Sequence, residues 1–215
     1  MTEGRAGTDK EGPAHSRRED WLDLAIRALI DNGIDEVKVQ VLARKLHVSR
    51  SSFYWFFESL KDLHDQLLDH WLSKNTGPII ERATRPAPDI MSAILNVFEC
   101  WADESLFDPK LDMAIRLWAR RSAAVRDIVQ QADNRRLSAI AAMFTRHGYE
   151  ARDAVVRARV LYFTQIGQYT LEVNEPMAVR HANLVPYLRA FSGQEPEAGH
   201  VARFEAFLRK NRLLA

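Results

Sequence analysis

Residues 38–57 constrain this chain more than any other stretch. They read Lys-Val-Gln-Val-Leu-Ala-Arg-Lys-Leu-His-Val-Ser-Arg-Ser-Ser-Phe-Tyr-Trp-Phe-Phe. Val39, Leu42, Ala43 and Leu46 share one face of a short helix over about 40–46, and a second helix is expected over 49–57, ending in consecutive aromatics. At about 100° per residue, Phe53, Phe56 and Phe57 fall on one side of that second helix. Ser51, Tyr54 and Trp55 fall on the other, flanked by Arg50 and Ser52. One face suits a core and the other suits a polar partner. A DNA major groove admits one α-helix, whose first turn meets the base edges. Arg50 lies in that turn and can bond guanine in bidentate fashion. Ser51 and Ser52 are short enough for close approach. Tyr54 and Trp55 can donate to phosphates, and the helix N-terminus itself favours an anion. The same spacing also fits a helical hairpin that merely packs, but two outward polar aromatics call for a partner better than water.

The rest of the sequence is helical bulk. With 9 Gly and 8 Pro in 215 residues, the turns of a large β-fold are scarce, and the valines sit mostly in helical periods. Hydrophobic residues at 47% and charged residues at 27% allow a sizeable core. The fold class expected is all-α. A single cysteine, Cys100, excludes an internal disulfide and a cysteine-based zinc site. No apolar run nears the roughly 20 residues of a membrane span. No signal peptide is visible, so a cytoplasmic location is expected, with no membrane partner. The formal net charge of +1 leaves any basic patch local. Lys38, Arg44, Lys45, Arg50 and Lys61 face only Glu58 within 37–61, before Asp62, Asp65 and Asp69 enter the chain.

Residues 1–15 are expected to be a disordered tail. Ser16 and Glu19 have capping-box spacing ahead of a first helix ended by Asn32-Gly33. Ser59 and Asp62 form a similar cap for a helix presenting Leu60, Leu63, Leu67, Leu68 and Trp71. Gly77-Pro78 and Pro86-Ala-Pro88 punctuate the next stretch of chain. Further helices are expected at about 88–104, 110–119, 122–147, 151–174, 177–191 and 199–211. The division expected is a DNA-binding domain at 16–60 and a helical domain at 61–215.

At residues 47–57 the chain resembles the tetracycline-repressor (TetR) family of bacterial transcription regulators. That family has a Gly-Val-Ser turn followed by an aromatic Leu-Tyr-aromatic-His-Phe run. Here His47-Val48-Ser49 precedes Arg50-Ser51-Ser52-Phe53-Tyr54-Trp55-Phe56-Phe57, and Lys61-Asp62-Leu63 matches the start of the family's fourth helix. The likeness spans 18–71. It implies a three-helix helix-turn-helix unit, a C-terminal bundle for dimerisation and ligand binding, and DNA contacts from Gln40, Arg50, Ser51, Ser52, Tyr54 and Trp55. Three positions depart from the pattern. His47 replaces the turn glycine and, if positive φ is needed there, tolerates it better than a β-branched residue would. Val39 replaces a capping threonine. Leu60 replaces a phosphate-binding lysine, for which Arg44, Lys45 and Lys61 are the expected compensation.

The resemblance implies a homodimer built on the last long helices. Val155, Ala158, Tyr162, Ile166 and Tyr169 form a stripe on helix 151–174, with Gly167 inside it. A mid-helix glycine costs roughly 1 kcal/mol against alanine, so close helix–helix approach is the expected reason for it. Helix 177–191 offers Val179, Leu184, Tyr187, Leu188 and Phe191. The same stripes would also serve an intramolecular core. An effector pocket is expected among Phe98, Trp101, Met113, Leu117, Trp118, Phe144 and Phe163, for an apolar or aromatic compound. Trp101 and Trp118 lead, because a buried indole N–H needs a partner.

The function expected is that of a DNA-binding transcription repressor, binding a palindromic operator as a homodimer and released by a small molecule. The alternative is an all-α small-molecule carrier or adaptor with a degenerate DNA module. Catalytic residues, metal ligands and cofactors are not expected, since no nucleophile–base pair, phosphate loop or metal spacing appears.

Overall fold

The computed structural model describes residues 17–214, so the expected tail over 1–15 lies outside the described residues. Every regular element among them is helical. Two compact units divide at Leu67–Leu68, inside a helix, against the 60/61 boundary expected from the sequence.

The N-terminal unit opens with α1, Arg18–Asn32. Its cap is one residue on from the expected box: Arg17 donates its backbone N–H to Asp20 Oδ2 at 2.7 Å. Gly33, at φ 82°, ends the helix and donates to the Leu29 carbonyl at 3.0 Å. A 3₁₀ turn, Ile34–Glu36, leads to α2, Val39–Lys45. Then come α3, Arg50–Phe53, and α4, Leu60–Trp71. Ser59 Oγ accepts the Asp62 N–H at 3.1 Å, and Asp62 Oδ2 accepts the Glu58 N–H at 3.0 Å, which caps α4 from both sides. Trp21, Leu29, Leu42, Phe53, Phe57 and Leu63 make the core of this unit.

In the C-terminal unit, the end of α4 continues without a break through a π turn, Leu72–Thr76, into α5, Gly77–Thr84. Gly77-Pro78, expected to interrupt the chain, does not. Pro78 falls in the first turn of α5, where a missing N–H costs least, and the widened turn before it relieves the ring. Asn75 fixes that turn: its Nδ2 donates to the Asp108 carbonyl at 2.8 Å and its Oδ1 accepts the Asp108 N–H at 3.2 Å.

The remaining helices are α6, Ile90–Ala102; α7, Pro109–Ala119; α8, Ala123–Arg146; α9, Ala151–Thr170; α10, Met177–Ala182; α11, Leu184–Ser192; and α12, Ala198–Lys210. Asp89, Asp108 and Ser122 cap α6, α7 and α8 with their side chains. α6 is apolar on nearly every face and lies at the centre of this unit. The single helix expected over 177–191 is two. Pro186 cannot supply the N–H that the Ala182 carbonyl would need, and its ring crowds that carbonyl. The chain therefore resets at Asn183, at φ −89° and ψ 4°.

A buried ionic network ties α7, α8 and α9 together. Arg136 is fully buried. It donates from Nε to Thr76 Oγ1 (3.0 Å), and from Nη1 to Tyr162 Oη (2.8 Å) and Asp112 Oδ1 (3.3 Å). Asp112 also accepts from Trp71 Nε1 at 2.8 Å and from Arg116 Nε at 2.7 Å. Arg116 forks onto both oxygens of Asp133 at 2.8 and 2.7 Å. Burial alone would raise the Asp112 carboxyl, but the charges of Arg136 and Arg116 and its hydrogen bonds outweigh it and hold the group below the usual carboxylate range.

Candidate nucleic-acid interface and ligand cleft

The turn between α2 and α3 is a Schellman motif. Val48 donates to the Ala43 carbonyl at 3.0 Å and His47 to the Arg44 carbonyl at 3.2 Å. His47 holds the left-handed position at φ 56°. The departure noted in the sequence is therefore a real conformational demand, met by a residue less suited to it than glycine. Ser49 comes next, at the N-cap position with extended backbone. Its Oγ lies 2.7 Å from Ser51 Oγ and 3.0 Å from Ser52 Oγ, so the three hydroxyls bond one another rather than the helix end.

α3 is shorter than expected. The α-helix stops at Phe53, and Tyr54, Trp55 and Phe56 continue it with i→i−3 bonds to Ser51, Ser52 and Phe53. Aromatic side chains lose rotamer freedom in an α-helix. Here the tighter winding keeps Phe53 and Phe57 stacked on the inside, ring centroids 5.0 Å apart. Trp21 meets Phe53 edge-on at 5.3 Å. Phe56 is only half-buried.

Opposite that scaffold, Tyr54 is 62% and Trp55 84% exposed. Gln40, Arg44, Lys45, Arg50 and Ser51 are exposed as well, and Ser52 is half-buried. Lys61, also exposed, pairs with Asp65 at 2.6 Å, which offsets part of its charge. These side chains belong to α2, α3 and the start of α4.

The second candidate site is an open cleft of about 570 Å³ among α6, α9, α10, α11 and α12. Phe98, Trp101, Leu161, Met177, Phe191 and Phe204 give it apolar walls. Gln165, Gln168, Glu175, Arg180, His181 and Tyr187 bring polar groups to it. Phe98 contacts Trp101, Phe191 and Phe204, with ring centroids 5.8–6.3 Å apart. Of the ligand residues expected from sequence, Phe98 and Trp101 line this cleft. Met113, Leu117 and Trp118 are on α7, away from it, with Leu117 exposed. Phe144 is wholly inside the core, and Phe163 faces outward.

Residues 22–67 match the family of bacterial regulatory proteins described as the tetR family. Over this stretch the chain is similar to the tetR family. The match falls on α1 through most of α4, the helices that build and present the outward face of α3.

Solved structures share the all-α fold of this chain at low identity. The fatty acid degradation regulator FadR from Bacillus halodurans aligns with a TM-score of 0.60 at 15% identity, covering 86% of this chain and 97% of that one. A transcriptional regulator from Rhodococcus sp. Rha1 gives 0.56 at 15%, covering 91% and 97%. FadR from Bacillus subtilis, solved in complex with stearoyl-CoA, gives 0.52 at 18%, covering 82% and 96%. No curated protein matches the chain by sequence. TetR-family regulators bind DNA, and they often dimerise and bind small-molecule effectors. Sequence reasoning missed most of the polar side of this chain's cleft. Arg180 and His181 have no spacing that marks a site. Only Trp101 had a signal, the need of a buried indole for an acceptor.

Proposed function

We propose that this transcription regulator is a repressor that binds a palindromic operator as a homodimer and is released by a small ligand in the cleft. The outward face of Arg50, Ser51, Tyr54 and Trp55 supports the DNA reading best. Trp55 is 84% exposed on a turn whose other side is stacked aromatic core, an arrangement with no intramolecular purpose. Arg50 would read a base edge, while Gln40, Arg44, Lys45, Ser52, Tyr54, Trp55 and Lys61 would hold phosphates.

Homodimer formation draws support from α9. The stripe named in the sequence is mostly intramolecular: Ala158 and Tyr162 are buried. Val156, Val160 and Phe163 form a different stripe, 46–55% exposed, with Gly167 one turn further on. A Cβ at Gly167 would meet nothing within 4 Å in this chain. The glycine therefore has no reason within one subunit, and a second copy of α9 crossing there would supply one. An apolar face of this kind suits a symmetric pairing that presents two α3 helices to successive half-sites, acting in the cytoplasm.

Selection of bound duplexes from a random pool tests the reading and gives the half-site spacing. Binding to the selected site should weaken steeply with salt as phosphate contacts release counterions. A flat salt response, or no enriched duplex, would refute it.

A further inference from the structure

The cleft carries more hydrogen-bond donors than it uses. Trp101 is more than nine-tenths buried, and its Nε1–H meets no acceptor. Arg180 donates from Nη1 to the Trp101 carbonyl at 3.2 Å, which brings the guanidinium beside the same residue. Arg180 forms no ion pair with any carboxylate among the described residues, so most of its donors remain available. His181 Nε2 is also buried without a partner, with Glu205 Oε2 at 4.0 Å. Against these groups stand aromatic walls from Phe98, Phe191 and Phe204.

An unpaired buried N–H is costly, and a hydrocarbon filling the cleft would leave the indole as it is. A cationic ligand would leave it so too, and would add repulsion from Arg180. A carboxylate supplies what both groups lack: one oxygen for the indole N–H and a planar edge for the guanidinium fork. We infer that the cleft takes an apolar or aromatic carboxylic acid, its body among Phe98, Phe191 and Phe204 and its anionic head held by Trp101 Nε1 and Arg180. This inference rests on the reading of the cleft as the effector site and names the chemistry of the effector.

Calorimetric titration of the full chain with two matched series tests it: 1-naphthylacetate, its primary amide and 1-naphthylethylamine, then decanoate, decanamide and decylamine. At least one acid should bind about tenfold or more tightly than its amide and its amine. Arg180→Met should lower the acid's affinity more than the amide's. Arg180→Lys should restore part of it, and Trp101→Phe should weaken the acid while leaving the melting temperature near that of the parent. An amide or amine that binds as well as its acid would overturn the inference while leaving the cleft as an effector site. No binding by any of the six compounds would overturn both. An Arg180→Met protein that keeps the parent's affinity for the acid would overturn the assignment of the head group. Operator binding by the same preparation, measured without these compounds, reads the DNA-binding proposal separately.

Discussion

Arg136→Met removes the buried cation at the centre of the C-terminal unit, and its cost can be worked out partner by partner. Methionine fills much of the same volume and keeps a contact with Trp71, over whose ring the Arg136 guanidinium lies at 5.0 Å. Thr76 Oγ1 loses both its donors, Arg136 Nε and Nη2. Tyr162 keeps Asp133 as its acceptor at 2.6 Å. Asp112 loses one of its two guanidinium partners but retains Arg116 and Trp71. Removing one partner from a buried pair costs about 3–5 kcal/mol. The retained Arg116 contact sets the expectation near the lower end, roughly 3 kcal/mol, with the stranded threonine oxygen adding to it. In a chain of this size that lowers the melting temperature by roughly 10 °C, which circular dichroism can follow. The double variant Arg136→Met/Asp112→Asn neutralises the stranded carboxylate yet leaves Trp71 an acceptor, so it should recover part of the loss. A single variant within about 1 kcal/mol of the parent, or a double variant whose losses simply add, would refute the account of the network as a charge-balanced cluster.

Three other outcomes are expected. Burial lowers the pKa of His64, with a hydrogen bond to the Val37 backbone opposing it. The folded chain thus prefers the neutral ring. Its stability contribution is complete above the ordinary value of 6.5 and is lost as the pH falls from there through the depressed folded value; His64→Gln should flatten stability against pH over that window in urea titrations. Trp55→Ala should leave stability within about 0.5 kcal/mol while weakening the selected duplex, and Arg50→Ala should relax the preference at one base position by roughly 1–3 kcal/mol, both read by mobility shift. Phe163→Glu, at a position 54% exposed, should keep the helical spectrum yet shift the chain to monomer in sedimentation and abolish tight operator binding; an unchanged dimer would refute α9 as the pairing face.

How much was legible in the sequence varied with the physics at each element. The aromatic run was readable because its two faces differ in chemistry: Phe53 and Phe57 turned in, Tyr54 and Trp55 out. The end of α3 was not, since helical periodicity cannot distinguish α winding from the 3₁₀ winding that begins after Phe53. On α9, both Val155-Ala158-Tyr162 and Val156-Val160-Phe163 are apolar at helical spacing, so pattern alone could not say which faces the core. Arg136 reads as a surface cation until Asp112 and Tyr162, distant in sequence, are brought to it. The cleft is assembled from five helices spread over residues 98–204, and the break at Asn183 that shapes one side of it arises from Pro186, a signal present in the sequence but not used.

The π turn at Leu72–Thr76 has a consequence for chain length rather than for composition. A π turn takes up about one residue more than an α turn, so α5 is out of angular phase with an uninterrupted continuation of α4 by about 100°. Ile79 and Ala83 face the core in this phase. Winding 72–76 as ordinary α-helix with all its residues kept would turn that stripe by about 100°, toward solvent, whereas deleting one residue as the turn closes to α would keep it facing the core. Ser73, which is exposed, could be exchanged at modest cost, whereas the winding of this segment and its count of residues can change only together.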